Sequence, residues 1–274
     1  MESPENLETA RKRIIKLAED PALKPFLNEA LAGLESAIER NNPSNYLLLK
    51  ESKAHPELIV PLGRLVYGPE MEELAKELKL SLRNNAQGYI GNINFEQAED
   101  LSRGLEGFMT TPSLFVEKLK LLLSGEAYDG SGNKHDPKKL EKAFKEITEV
   151  RNPWRAEWLG HRYSKQENQL QVTYNKFVDG KLTKVTEPLD EDTLMENRTP
   201  GISLESWIEN PTSQGLPRKT VEKGSLYFWH PRDKSVAWFN ANAGRSYLDC
   251  NWDAQNSNDE VGVAVVREKN SNKK

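Results

Sequence analysis

The sequence predicts an α+β protein in two parts, an all-helical domain over about 1–150 and a mixed α/β domain over about 151–274. Three observations carry this. Apolar residues recur at three- and four-residue spacing through the first half. All six tryptophans lie beyond residue 150. The last hundred or so residues alternate apolar and polar side chains with the period of a strand.

In the first half, Ser3 followed by Pro4 opens a helix, and Leu7, Ala10, Ile14, Leu17 and Ala18 give its stripe. A second stripe runs from Leu23 through Phe26, Leu27, Leu31 and Leu34 to Ile38, and Asn41-Asn42-Pro43 ends it. Helices are expected over 44–53, 56–67 and 69–82. Another follows over 95–105, capped by Asn94, and one starts at Thr111-Pro112-Ser113. The last, over 137–150, turns Leu140, Phe144 and Ile147 inward.

In the second half, Asn152-Pro153-Trp154 marks the change of character. Leu170, Val172 and Tyr174 alternate, Asp179-Gly180 gives a tight turn, and 181–185 returns, which is a hairpin. Ser203 caps a short helix carrying Leu204 and Trp207. Strands are expected over 226–229, 236–240, 246–252 and 262–267, followed by a charged tail.

Composition excludes some functions. The chain has 274 residues, is 36% hydrophobic and 29% charged, and carries a formal net charge of -4. That balance gives no electrostatic reason to bind nucleic acid or an anionic membrane. No stretch approaches the roughly 18 apolar residues of a membrane span. The start has no basic region followed by an apolar run, so the expected location is cytoplasmic as made, with a virion or cell surface open by another route. The single cysteine, Cys250, allows no intrachain disulfide. It sits in an apolar alternation, as a small buried hydrophobe does.

The closing segment carries most of the functional signal. Val236, Leu248, Cys250, Val261, Val263 and Val265 form a frame that must be buried. Between them stand Trp238, Asn240, Asn242, Tyr247, Asp249, Asn251, Trp252, Asn256, Asn258 and Asp259. Asparagine competes with the strand ladder for backbone hydrogen bonds, so this loading disfavours stability and suits a binding surface. Aromatic rings and short polar side chains are what binding surfaces favour. With Leu248 and Cys250 inward, Tyr247, Asp249 and Asn251 are expected to point outward.

The runs Ser235-Val236-Ala237-Trp238-Phe239, Leu248-Asp249-Cys250 and Val261-Gly262-Val263, with Arg245 and Ser257 between them, resemble the C-terminal variable region of the target proteins of diversity-generating retroelements. Ser203-Leu204-Glu205-Ser206-Trp207 and Thr212 to Arg218 are similar to what precedes that region. The match covers the last seventy residues or so well, and departs at Val261 for leucine and Ala264 for arginine. The resemblance implies a C-type-lectin-like domain over 151–274 with a variable region over about 236–263. It implies a non-catalytic protein that displays a diversifiable surface to a protein or glycan ligand, with no cofactor. The helical half would then be an adaptor that docks onto another protein or self-associates.

Other readings are weaker. A fixed-specificity carbohydrate-binding protein of a phage or cell surface is the alternative from the same surface. An enzyme on the fold of the formylglycine-generating enzymes would need a cysteine pair or a His–carboxylate cluster, and one Cys with four scattered His does not supply it. Asn251-Trp252-Asp253 is similar to the calcium motif of animal C-type lectins in a different order, with no Glu-Pro-Asn triplet upstream. The loop from Asp129 begins like a calcium loop, but Lys134 stands where glycine is needed and Leu140 where glutamate is needed. The remaining tryptophans, Trp154, Trp158, Trp207 and Trp229, read as packing rather than as a sugar platform.

Overall fold

The computed structural model describes residues 4–17, 31, 34, 42–85 and 88–269. The expected fold class does not hold. Among the described residues the chain is mostly β, with fourteen strands in three sheets and six short helices, and no all-helical domain precedes the strands. The first strand already begins at Tyr46.

The N-terminal helix α1 (Pro4–Leu17) forms as its stripe predicts. The second predicted stripe, 23–38, falls almost wholly outside the described residues. Where helices were expected over 44–53 and 56–67, the chain forms β1 (Tyr46–Leu49) and β2 (Leu58–Pro61), paired antiparallel. All four residues of β1 are buried. A four-residue apolar run buried on both faces has no period of its own, so helix and strand look alike in sequence.

The remaining helices of the first half start where they are expected, three of them behind side-chain caps, and the first stops at Glu77 rather than running to 82. These are α2 (Pro69–Glu77), α3 (Phe95–Gly104), α4 (Pro112–Ser124) and α5 (Pro137–Thr148). Asn94 and Gln97 close a reciprocal capping box on α3, Thr111 accepts from Leu114 N on α4, and Asp136 accepts from Lys138 N on α5. Short strands lie between them: β3 (Arg83–Asn84) with β4 (Ile90–Gly91), and β5 (Phe108–Met109).

The second half supplies the large sheet. Its strands are β6 (Arg155–Gln166), β7 (Gln169–Val178), β8 (Lys181–Pro188), β9 (Arg198–Ile202), β10 (Leu226–Trp229), β11 (Val236–Ala241), β12 (Ser246–Trp252) and β13 (Val261–Val263). The order is β8-β7-β6-β11-β12-β10-β9, with β13 parallel to the first part of β6. The β7–β8 turn has Asp179 and Gly180 both at positive φ, the geometry that Asp-Gly favours in a two-residue hairpin. The short helix α6 (Leu204–Glu209) is capped by Ser203.

The predicted last strand divides. After β13 the chain crosses at Ala264, whose carbonyl accepts from Thr110 N and Oγ1, and continues as β14 (Val265–Glu268). That strand is hydrogen-bonded between β2 and β5 in the four-stranded sheet β1-β2-β14-β5. The C-terminal strands thus join the large sheet to elements from the first half.

Two apolar layers flank the large sheet. On one face Leu159, Ala237, Phe239, Leu248 and Cys250 pack against Phe115 and Leu119 of α4, Leu140 of α5 and Trp207 of α6. On the other, Ala156, Trp158, Val236 and Trp238 pack against Ile90, Ile93, and Phe95, Ala98 and Leu101 of α3. Among the described residues no helix is long and apolar enough to cross a membrane.

Candidate ligand-binding face

Strand alternation assigns β11 and β12 their two faces. Ala237, Phe239, Leu248 and Cys250 lie in the layer under α4, α5 and α6, so Trp238, Asn240, Tyr247 and Asp249 lie on the opposite face; a register shift after Asp249 brings Trp252 to that face as well. All six frame residues, Val236, Leu248, Cys250, Val261, Val263 and Val265, are buried. Burial also pushes the Cys250 thiol well above its usual range.

The ten expected site residues separate by depth. Trp238 is 2% exposed, Asn240 1% and Asp249 5%, so these three sit beneath the surface. The outward position expected for Asp249 is not what the structure shows: the face it shares with Tyr247 is roofed at its centre by aromatic rings. Asn242, Tyr247, Asn251 and Trp252 are half-buried, and Asn256, Asn258 and Asp259 are exposed.

The aromatic rings form a layered stack from core to surface. Trp158, fully buried, stacks on Trp238 at 5.7 Å between centroids, and Trp238 stacks on the half-buried Trp252 at 4.4 Å. The Trp158 indole donates to Ile93 O at 2.8 Å, which fixes the inner ring. Trp154 and Tyr247 meet Trp238 edge-on, each at 6.1 Å. Trp229 meets Tyr247 edge-on at 5.1 Å, Tyr227 lies 6.0 Å from Trp229, and the Arg245 guanidinium sits 4.9 Å over Tyr227. Tyr227, Trp229, Tyr247 and Trp252 are all half-buried. They make one aromatic strip on a rigid base, with a cation at one end.

Several polar groups are committed to local structure. Asn242 Oδ1 accepts from Gly244 N and Arg245 N at 2.9 and 3.0 Å, holding the β11–β12 turn. Asp249 Oδ1 accepts from Asn251 N at 2.8 Å, yet burial outweighs that bond and raises the Asp249 carboxyl to about 6. Asn258 Oδ1 accepts from Glu260 N at 3.2 Å, and Asn258 O accepts from Asn92 N at 2.9 Å. Asp259 pairs loosely with Arg83 at 3.6 Å, between two exposed side chains. The loop 253–260 is thus anchored through its backbone and leaves the Asn256 and Asn258 side chains outside.

Sequence reasoning missed Tyr227, Trp229 and Arg245 as parts of this face, having read Trp229 as core packing. The alternation of buried Leu226 and Phe228 with half-buried Tyr227 and Trp229 marks an aromatic outer face on β10. Its place beside β12 depends on the parallel pairing Tyr227↔Tyr247 and Trp229↔Asp249, which a sequence does not display.

Elsewhere, the Asp129 loop closes on itself, its carboxylate accepting from Ser131 N and Asn133 N at 2.8 and 2.9 Å. Among the described residues no three His, Cys, Asp or Glu side chains gather as a metal ion would require. Comparison with protein families, with characterised proteins and with solved structures finds no match to this chain.

Proposed function

We propose that the chain is a non-catalytic binding protein whose ligand, a protein or a glycan, docks on the strip Tyr227, Trp229, Tyr247 and Trp252 and on the adjoining loop with Asn256 and Asn258. The observation that carries this reading is the tryptophan stack. It brings large rings to the surface on a base that cannot collapse, so contact area is presented at little entropic cost. The asparagines beside it supply directed hydrogen bonds.

The resemblance of 236–263 to the variable regions of diversity-generating retroelement targets fits the same division. Frame residues are packed, and the exposed Asn256 and Asn258 between them can change with little loss of packing, whereas Tyr247 and Trp252 also pack on Trp238. The proposal is therefore a receptor of that kind, with variation at the outer positions and not at Trp238, Asn240 or Asp249. The test is the DNA beside the gene. A near-repeat of the codons for about 236–263, differing where one copy has adenine and close to a reverse transcriptase gene, supports it. Its absence reduces the proposal to a binder of fixed specificity.

That second reading, a fixed carbohydrate binder, is favoured by the strip itself, since aromatic rings stack on the apolar faces of sugars and Arg245 stands ready to donate hydrogen bonds. A glycan array read with the parent protein and with Trp252→Ala tests whether the strip takes a sugar. Glycan binding lost on substitution, in a gene with no near-repeat beside it, favours the fixed reading.

A further inference from the structure

Beneath the helix-covered face of the large sheet lies a cluster of charges that the binding face does not use. Arg155 and Glu157, two apart on β6, project toward α4 and pair at 3.0 Å with side chains only 1% exposed. Lys118 of α4 is fully buried beside them. Arg64, also buried, joins the group and donates from Nη1 to Glu260 O at 2.7 Å. Three cations therefore surround one buried carboxylate. Arg64 is bonded to Glu260 O, so the seam itself holds two cations, Lys118 and Arg155, against the single carboxylate of Glu157, one cation more than it needs.

The hydrogen bonding is equally incomplete. Among the described residues, Lys118 Nζ, Arg155 Nε and Arg155 Nη1 are buried donors with no acceptor. A buried charge without a partner is among the most costly arrangements in a protein interior, and a buried donor without an acceptor adds to that cost. Burial lowers the Lys118 ammonium, so a counter-charge is what would keep it protonated.

The outer wall of the cluster faces a groove. Arg64 lies 4.6 Å from the Tyr89 ring, and the Tyr89 hydroxyl donates to Glu146 Oε1 at 3.4 Å. A groove of about 480 Å³ opens on Tyr89 and Glu146 and is rimmed by Lys142, Lys145, Arg151 and Asn152. Glu149 lines it as well, so three cations and two carboxylates share the groove that lies outside the cluster.

We propose that Lys118 and Arg155, beside Glu157, hold one small inorganic monovalent anion of halide or nitrate size in the seam between α4 and β6. The ion accepts from Lys118 Nζ and from the Nε and Nη1 edges of Arg155 that Glu157 leaves unused. One negative charge matches the surplus, and a bulky or multiply charged ligand would have to displace the buried pair. The anion is structural: it neutralises the floor of the sheet whose other face carries the tryptophan stack.

The test is thermal unfolding of the full chain in sodium bromide against sodium gluconate at matched ionic strength, with a bromide-soaked crystal measured at the bromine edge. Occupancy raises the unfolding temperature by a few degrees, saturating with bromide, and gives an anomalous peak beside Lys118 Nζ. Lys118→Met abolishes the bromide dependence. Equal unfolding temperatures in the two salts, or a bromide dependence that survives Lys118→Met, overturns the proposal and leaves water or a neutral lysine as the relief. If Lys118→Met does not fold, the anomalous map of the parent decides alone: a peak in the cluster supports the site and its absence overturns it.

Discussion

Trp238 and Asp249 are direct partners across the β11–β12 ladder, and both lie beneath the surface. The next pair on the same face, Asn240 and Tyr247, joins a buried residue to a half-buried one. The hairpin that carries the proposed binding face therefore has an inner row that belongs to the frame. Only its ends and the following loop reach a ligand.

Substitutions should divide along the same line. Trp238→Ala removes the middle ring of the Trp158–Trp238–Trp252 stack and is expected to cost about 3–5 kcal/mol. Asn256→Ala and Asn258→Ser are each expected to cost no more than about 0.5 kcal/mol. Urea unfolding of the three variants measures both.

Asp249 sets one pH dependence. Its carboxyl is raised by burial to about 6 from an unfolded value of 3.8. The folded state then holds the extra proton between these values, so the stability this carboxyl contributes is fully present below 3.8 and is lost as pH rises through 6. Asp249→Asn, which keeps the acceptor for Asn251 N, is expected to stabilise the protein at pH 7–8 by at most about 3 kcal/mol and to have little effect below pH 4. Chemical unfolding across pH 4–8 checks the direction.

His161 sets the opposite slope. It is fully buried between Tyr163 and Tyr174, and burial lowers its ring to about 3 from 6.5. The unfolded chain takes up the proton first, so the stability this residue contributes above 6.5 is lost as pH falls toward 3. His161→Phe is expected to flatten the acid limb of the stability profile while leaving the alkaline side unchanged. An acid limb of unaltered slope in that variant contradicts a neutral buried ring.

Gly91 controls the display loop from a distance. A Cβ built there would stand 1.8 Å from the Asp259 carbonyl oxygen. Gly91→Ala is expected to displace the loop 253–260, to cost about 1–3 kcal/mol, and to shift amide resonances from Gln255 to Glu260.

The seating of β14 between β2 and β5 has a consequence for fragments. A chain of 151–274 alone leaves Val265 and Val266 without their ladder partners and strips the large sheet of α4 and α5. It is expected to lack the amide dispersion of the full protein, and a fragment covering 42–150 added in trans should restore it.

The local signals in the sequence were readable where residue chemistry decides backbone geometry. Asn94 and Ser203 cap the helices expected of them, Thr111 opens the one expected there, and Asp179-Gly180 makes the turn of its hairpin. What was hidden depends on long-range pairing. The run β6 reads as polar because of Arg155, Glu157 and His161, yet all three are buried and the strand is central to the large sheet. Its charged residues are tolerated because Arg155 and Glu157 pair with each other. Tyr46 to Leu49 lacked a period because both faces are covered. At the candidate site, composition identified the hairpin and the loop, whereas the depth of Asp249 and Asn240 follows from the neighbouring rings and strands.

The most direct measurement on the binding face is a displayed library randomised together at Asn251, Asn256 and Asn258, with Tyr247 and Trp252 varied only among aromatic residues because their rings pack on Trp238, scored for folding and then selected on unrelated proteins and glycans. A diversifiable face gives a majority of folded clones, and selected binders whose target follows the sequence at these five positions. A library in which most clones unfold, or whose folded clones share one ligand whatever the five residues are, contradicts it.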